Sequence, residues 1–291
     1  MSLDNSLDIK NVICLYFVDL KDIINLYNLN KDHQNNIRIT NLCNIESKYI
    51  EGLNQQIIEQ NKYRYVEKLN TKNNKEIKNV NHMKKTLKNL HCCYDSGVDQ
   101  NGILELNLIE LNAARNEKIK NVNYMKNTLK ILYCGWKCGI DQNGISELNL
   151  IELNANGNKK IKTVNHMKET LKILECGPES KIDQDGISEL NLIELYAYGN
   201  QKIKNVNHMK STLKILYCNN ESGIDQNGIS ELNLIKLSAS NNGQIKNVNH
   251  MKETLKILYC SFNSGIDQNG ISELNLIELY AIGNKQIKNK M

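Results

Sequence analysis

Residues 203–244 read IKNVNHMKSTLKILYCNNESGIDQNGISELNLIKLSASNNGQ. The same 42-residue unit begins at Ile77, Ile119, Ile161, Ile203 and Ile245, with no insertion or deletion between copies. Five copies fill residues 77–286, and Ile287 to Met291 opens a sixth. Self-similarity at a fixed period outranks other sequence signals, because each copy is a unit that buries its apolar face only against its neighbours.

The unit divides in two. Leu129, Leu150, Leu171, Leu192, Leu213, Leu234, Leu255 and Leu276 stand 21 residues apart, and each opens the same phrase. One half reads Leu129-x-x-Leu132-x-Cys134, and the other Leu150-x-x-Leu153-x-Ala155-x-x-Asn158. Eleven phrases run from Val66-x-x-Leu69-x-Thr71 to the one at Leu276. The pattern resembles the leucine-rich repeat, L-x-x-L-x-L-x-x-N/C-x-L, with Cys and Ala alternately replacing the third leucine.

Counted from the opening leucine, the apolar residues stand at positions one, four and six. Positions four and six alternate with polar neighbours, which suits a short strand buried on one face. A single turn cannot bury that face, so stacked neighbours must supply the wall. The expected fold is an α/β repeat solenoid. It comprises a curved leucine-rich repeat array over 66–291, one parallel β-sheet on the concave face and a small N-terminal helical cap. Eleven strands spaced about 4.8 Å apart make an array roughly 50 Å long. The Asn at position nine recurs as Asn74, Asn116, Asn158, Asn200, Asn242 and Asn284. The resemblance implies that these amides form a buried ladder where the chain leaves the strand. An unpartnered buried amide costs about 1–3 kcal/mol, so the ladder reads as structural.

Composition narrows the function. The chain carries 37 basic and 32 acidic side chains, a net charge of +5 over 291 residues, too balanced to predict a nucleic-acid partner. It contains no apolar run long enough to span a membrane. The opening MSLDNSLDIKNV has neither a basic start nor a small-residue cleavage site, so no secretory signal is expected. Of nine cysteines, Cys92, Cys134, Cys176, Cys218 and Cys260 occupy position six. Neighbours in that column lie two strands apart, about 10 Å, beyond disulfide reach. An intracellular, cytoplasmic location is the expectation. The richness in Asn, Lys and Ile points to an AT-rich genome. Repeat proteins of amoebae and their large DNA viruses are similar, in which case the cytoplasm is the host cell's.

No cofactor, metal or enzymatic activity is expected. Cys134 with Cys138, and Cys92 with Cys93, lack a second ligand pair. His82, His166, His208 and His250 stand about 10 Å apart, too far to share a zinc ion. Asp141-Gln142-Asn143-Gly144 hints at a calcium loop, but Leu150 stands where a glutamate is needed. It reads instead as a turn whose glycine takes left-handed backbone. Lys88, Lys130, Lys172, Lys214 and Lys256 form a row at position two, with Glu110, Glu152, Glu194 and Glu278 interleaved from the other half. A solvated row at the strand entrance is the reading. No nucleophile is matched with a base.

The N-terminal 35 residues differ from the array. Leu7, Ile9, Val12, Ile13, Tyr16 and Phe17 recur at helical steps, and Asp19 can cap a second helix. One reading is an amphipathic cap shielding the first strand. The other rests on LDIKNVICLYFVDLKDIINLYNLNKDH (Leu7 to His33), which resembles an F-box. Asp8 and Ile9 match the family's opening, Asp19, Leu20 and Ile23 its turn, and Leu29 and Lys31 its close. The usual opening Pro is absent, and His33 stands where an aromatic is common. The resemblance implies an adaptor that joins the linker protein of an SCF-type ubiquitin ligase. Residues 36–65 read as a helical or irregular join that grades into the array.

Copies differ most at positions five, seven and eight. Alternation sends positions three, five and seven to the concave face. Exposed aromatics on a rigid sheet are typical anchors for a protein partner. The candidates are Tyr133, Trp136, Tyr196, Tyr217, Tyr259, Phe262 and Tyr280. Drift of recently duplicated copies at unconstrained positions is the competing explanation. The function expected is a non-enzymatic protein–protein interaction module, with a structural scaffold as the alternative. The visible array lacks a C-terminal cap, so end-to-end self-association or a frayed last turn is also expected.

Overall fold

In the computed structural model the described residues are 28, 29, 38–43 and 52–288. They form one parallel sheet whose strand order follows the chain. Its strands are β1 (Asn41–Leu42), β2 (Lys68–Asn70), β3 (Asn89–His91), β4 (Glu110–Asn112), β5 (Ile131–Tyr133) and β6 (Glu152–Asn154). They continue as β7 (Ile173–Glu175), β8 (Glu194–Tyr196), β9 (Ile215–Tyr217), β10 (Lys236–Ser238), β11 (Ile257–Tyr259) and β12 (Glu278–Tyr280). From β2 onward every strand spans positions three to five of its phrase, and each central leucine pairs with the next, as Leu132 does with Leu153. Among the described residues the sheet holds twelve strands, not eleven. The extra one, β1, lies in the segment read as a join and pairs Leu42 with Leu69.

The strands are short because the chain must turn sharply after each. Position eight is left-handed in almost every phrase, with φ between 55° and 72° at residues 73, 94, 115, 136, 157, 199, 220, 241, 262 and 283. Only residue 178 breaks the column. It is Pro178, whose ring fixes φ negative, and the left-handed residue moves on to Glu179 (φ 58°). Gly157, Gly199 and Gly283 take this conformation without strain, whereas a residue with a Cβ bears about 1–2 kcal/mol.

One continuous core runs the length of the described array. Positions one, four and six supply it from the strand side. Ile119, Val122 and Met125, with Ile145 and Leu148, are typical of the opposite wall. The small residues at position six alternate as Cys134 and Ala155, both fully buried. Burial pushes the Cys176, Cys218 and Cys260 thiols up to about 12, so they remain protonated hydrophobes.

Away from the sheet the array carries only single 3-10 turns, such as Asn123–Met125 before a Cys phrase and Asn143–Ile145 before an Asn phrase. A short helix α1 (Gln55–Ile58) is capped by the Asn54 side chain, which accepts from the Ile57 N–H at 2.9 Å. No sheet joins these turns; isolated backbone bonds, such as Val122 N–H to the Gly144 carbonyl, do so together with side-chain amides. Asn158 donates to the Cys134 and Ile140 carbonyls at 2.8 and 3.2 Å and accepts from the Lys160 N–H at 2.8 Å. The expected buried ladder is therefore present. A second ladder was not anticipated. Gln142 accepts from the N–H groups of Lys162 and Thr163 and donates to the Thr163 carbonyl. Gln100, Gln184 and Gln226 repeat that clamp. In a third ladder, Asn123 donates to the Asn143 carbonyl and accepts from Glu147. His166, His208 and His250 each meet the carbonyl of an isoleucine one turn back at 3.0–3.1 Å. Tyr124, which breaks the histidine series, donates to the Ile103 carbonyl at 2.9 Å and serves the same end.

Two expectations need correction. The glycine of Asp-Gln-Asn-Gly is not left-handed. A Cβ on Gly144 would lie 2.1 Å from the Lys120 carbonyl oxygen, so the residue is fixed by close backbone approach. Asp141 caps the turn by accepting from the Gly144 N–H at 3.0 Å. The lysine row at position two alternates with exposed isoleucines, Ile109, Ile151, Ile193, Ile235 and Ile277, rather than with glutamates. The glutamates stand one residue further on, inside the sheet register, as Glu152 does opposite Ile131 and Ile173.

Candidate protein-binding face

Strands β2 to β11 bury their central leucines, that of β12 is partly buried, and positions three and five turn to the open face of the sheet. The backbone there is fully used in the parallel ladder, so the side chains stand on a stiff floor. At position five the strands present Tyr133 on β5, Tyr196 on β8, Tyr217 on β9, Tyr259 on β11 and Tyr280 on β12. Direct cross-strand pairing brings four of them together in twos. Tyr196 and Tyr217 stack with ring centroids 4.7 Å apart and planes at 18°. Tyr259 and Tyr280 stack at 4.4 Å and 3°. Such pairs contribute about 0.5–1.5 kcal/mol each beyond burial.

Between the two pairs lies Ser238, in register with both Tyr217 and Tyr259. The small side chain leaves a gap two strand spacings wide, about 10 Å. Lys236 fills its floor, with Nζ 5.3 Å from the Tyr217 ring centre and 5.2 Å from that of Tyr259. The Tyr217 phenol raises the Lys236 pKa, so the cation is secure. Toward the middle of the sheet the charge reverses. Glu152, Glu175 and Glu194 stand on adjacent strands β6, β7 and β8. Tyr133 donates to Glu152 at 2.7 Å and Tyr196 to Glu194 at 2.8 Å. Burial, with Glu152 nearby, raises the Glu175 pKa against the opposing pull of its Asn156 hydrogen bond. Burial also raises the pKa of Tyr133 and Tyr196 first, and the glutamate hydrogen bonds add to it.

Trp136 and Phe262 belong elsewhere. They occupy the left-handed position eight and lie on the turns beyond the strands, not on the sheet face. Each ring covers the glycine of the next turn. A Cβ on Gly157 would meet the Trp136 ring at 2.7 Å, and one on Gly283 the Phe262 ring at 3.2 Å. The candidates therefore form two groups, a tyrosine set on the sheet and an aromatic set on the turn edge. Tyr94 belongs to the second by position and conformation. Its repeat position signalled this, but its φ could not be read from sequence.

Of the F-box-like residues, Asp8, Ile9, Asp19, Leu20, Ile23 and Lys31 lie outside the described residues. Leu29 is described and exposed. Among the described residues no group of three or more His, Cys, Asp or Glu could hold a metal ion. No helix among them is long and apolar enough to cross a membrane.

The parallel sheet, the 21-residue turn and the buried asparagine ladder identify the architecture. It is a leucine-rich repeat solenoid. No family model matches the chain, and no curated protein does. Two solved structures align with the chain. A chain in the crystal structure of the Rad7 and Elc1 complex in yeast aligns at 13% identity and TM-score 0.46, covering 98% of this chain and 90% of the other. An internalin, inlF, from Listeria monocytogenes aligns at 19% identity and TM-score 0.48, covering 75% of each chain. At that level of likeness, the repeat and its twelve-stranded sheet carry the fold assignment.

Proposed function

We propose that this solenoid is a non-enzymatic interaction module that takes a protein partner on its open sheet face. The stacked pairs Tyr196–Tyr217 and Tyr259–Tyr280 carry this reading. They are half-exposed, pre-stacked and held on a rigid floor, so a partner gains large apolar contacts while little side-chain freedom is lost. Changing all four to Ala removes partner capture while leaving the urea midpoint within the loss expected for two stacks, about 1–3 kcal/mol. Undiminished capture by the quadruple variant rejects the assignment.

The finer form is a substrate-recruiting adaptor of an SCF-type ubiquitin ligase. Its support is the F-box-like run from Leu7 to His33. A pull-down with the ligase's linker protein compares the full chain with a Leu20→Lys, Ile23→Lys variant. Capture by the unaltered chain alone supports the adaptor, and no capture by folded unaltered chain removes it. We place this activity in a reducing intracellular compartment, which the free, buried thiols at position six support.

A scaffold that associates end to end is the second reading. Ile277 and Ile282 are 74% and 68% exposed beside the outer edge of β12. That edge has no partner strand among the described residues. Sedimentation velocity decides it. Growth in mass with concentration is the expected sign, and a strict monomer excludes it.

A further inference from the structure

The turn edge carries a second row that the sheet face does not explain. Tyr94, Arg115 and Trp136 succeed one another at position eight on three successive turns, all left-handed, with φ of 58°, 62° and 58°. The Arg115 guanidinium lies 5.0 Å from the Tyr94 ring centre and 5.6 Å from that of Trp136. It is thus held between two aromatic side chains, with Lys72 4.7 Å from the same Tyr94 ring. Stacking uses the faces of a guanidinium and leaves its N–H rim available. Among the described residues that rim has no hydrogen-bond acceptor and no carboxylate at ion-pair distance. Asp95, on the same edge, is engaged by Lys75 at 3.6 Å. A groove of about 480 Å³ opens over the row, lined by Tyr94, Arg115, Trp136, Asp95, Glu117 and Lys137.

Bulky side chains rarely adopt left-handed backbone, and glycine serves at this position in later turns. Three such residues therefore set an arginine between aromatics at a cost that packing does not demand. Their rings remain about two-fifths exposed, at 41% for Tyr94 and 40% for Trp136. Tyr, Trp and Arg are also the residues that dominate protein interfaces.

We propose that this edge is a second docking site, which binds an acidic segment of a protein partner through a carboxylate on Arg115. A planar guanidinium with a free rim matches a carboxylate with two parallel N–H···O bonds. The aromatic walls then pack against the aliphatic stem of the acidic side chain. Lys137 on the lining balances Glu117, and Lys72, beside the Tyr94 ring, adds a further positive charge that favours an anionic guest. The site is separate from the tyrosine face and does not depend on it.

Trp136 is the chain's only tryptophan, so its fluorescence reports on this site alone. The probe is a capped tetraglutamate peptide, titrated into the full-length protein at low salt. Tetralysine and inorganic phosphate are titrated alongside. A saturable change with tetraglutamate alone is expected. Arg115→Gln should weaken it about tenfold or more, and Arg115→Lys should restore only part, because an ammonium lacks the planar fork. The Tyr196, Tyr217, Tyr259 and Tyr280 quadruple variant should respond as the unaltered chain does, which separates failure here from failure of the sheet face. Circular dichroism of Arg115→Gln verifies that the exposed substitution leaves the array folded. No response to tetraglutamate, an equal response to phosphate, or full response in folded Arg115→Gln overturns the proposal.

Discussion

The sheet and the turns opposite it hold the same array together by opposite means. On the sheet, backbone bonds backbone, and positions three and five are left free to vary. On the turns the backbone makes only isolated bonds, such as Val122 N–H to the Gly144 carbonyl, and Asn, Gln, His and in one copy Tyr side chains supply the others between neighbours. This division accounts for repetition and variation among the copies. Asn123, Gln142 and Asn158 recur unit after unit because each replaces a backbone contact. Position five runs through His91, Asn112, Tyr133, Asn154, Glu175 and Tyr196 because the parallel backbone ladder holds the strands whatever stands there. The high asparagine content thus has a physical role beyond any bias in the genome.

The comparison is broken most sharply on the turn side. Gly144→Ala forces a Cβ to within 2.1 Å of a carbonyl oxygen and should cost about 3 kcal/mol or more in urea denaturation. Gly243→Ala, whose Cβ meets nothing nearer than 3.8 Å, should change stability by only about 0.5 kcal/mol or less. Equal effects from the two would show that close approach does not select the repeated glycine. Next comes the buried ladder. Asn200→Ala strands the Cys176 and Ile182 carbonyls and the Lys202 N–H, for an expected loss of about 2–3 kcal/mol. Gln184→Ala breaks a comparable number of bonds, but at exposed groups that water can reach, so about 1 kcal/mol is expected. Their difference measures what burial adds to the same amide chemistry.

The smallest effect is a pH dependence. Burial lowers the His208 pKa below its usual 6.5, against the raising pull of its bond to the Ile187 carbonyl. The unfolded chain therefore binds the proton more readily. The stability of the folded state is intact above about pH 6.5 and declines as pH falls through and below that value. His208→Tyr, which copies the residue found at Tyr124, should reduce the loss of thermal midpoint between about pH 7.5 and 5.5. An unchanged slope would remove His208 from the turn-side network's pH response.

Much of the fold was legible because its signals are periodic. The leucines, the small residues at position six and the asparagines at position nine recur at 21 or 42 residues, and their burial agrees with that period. Strand β1 escaped because Leu42 lies 27 residues before Leu69, out of period, and α1 occupies the intervening stretch. The glutamine clamp escaped because an exposed polar residue in a turn carries no signal of its own. Its partners lie 20 and 21 residues on, and only the stacked turns bring them together. Of the candidate site, alternation found the tyrosines on the sheet. It could not place Trp136 and Phe262, because alternation ends where the strand does and a left-handed residue redirects the chain beyond it.

The stitching between halves also sets a rule of growth. Asn123 reaches from a Cys half to the Asn half after it, Gln142 from that Asn half to the next Cys half, and Asn158 from the Asn half back to the Cys half before it. A gene that added one 21-residue half would break this alternation and set two halves of the same kind side by side. Duplication that keeps the alternation changes length in steps of two strands, about 10 Å of array. The solenoid is in that sense a ruler whose graduation is the 42-residue pair, five marks of which stand between Ile77 and Gln286.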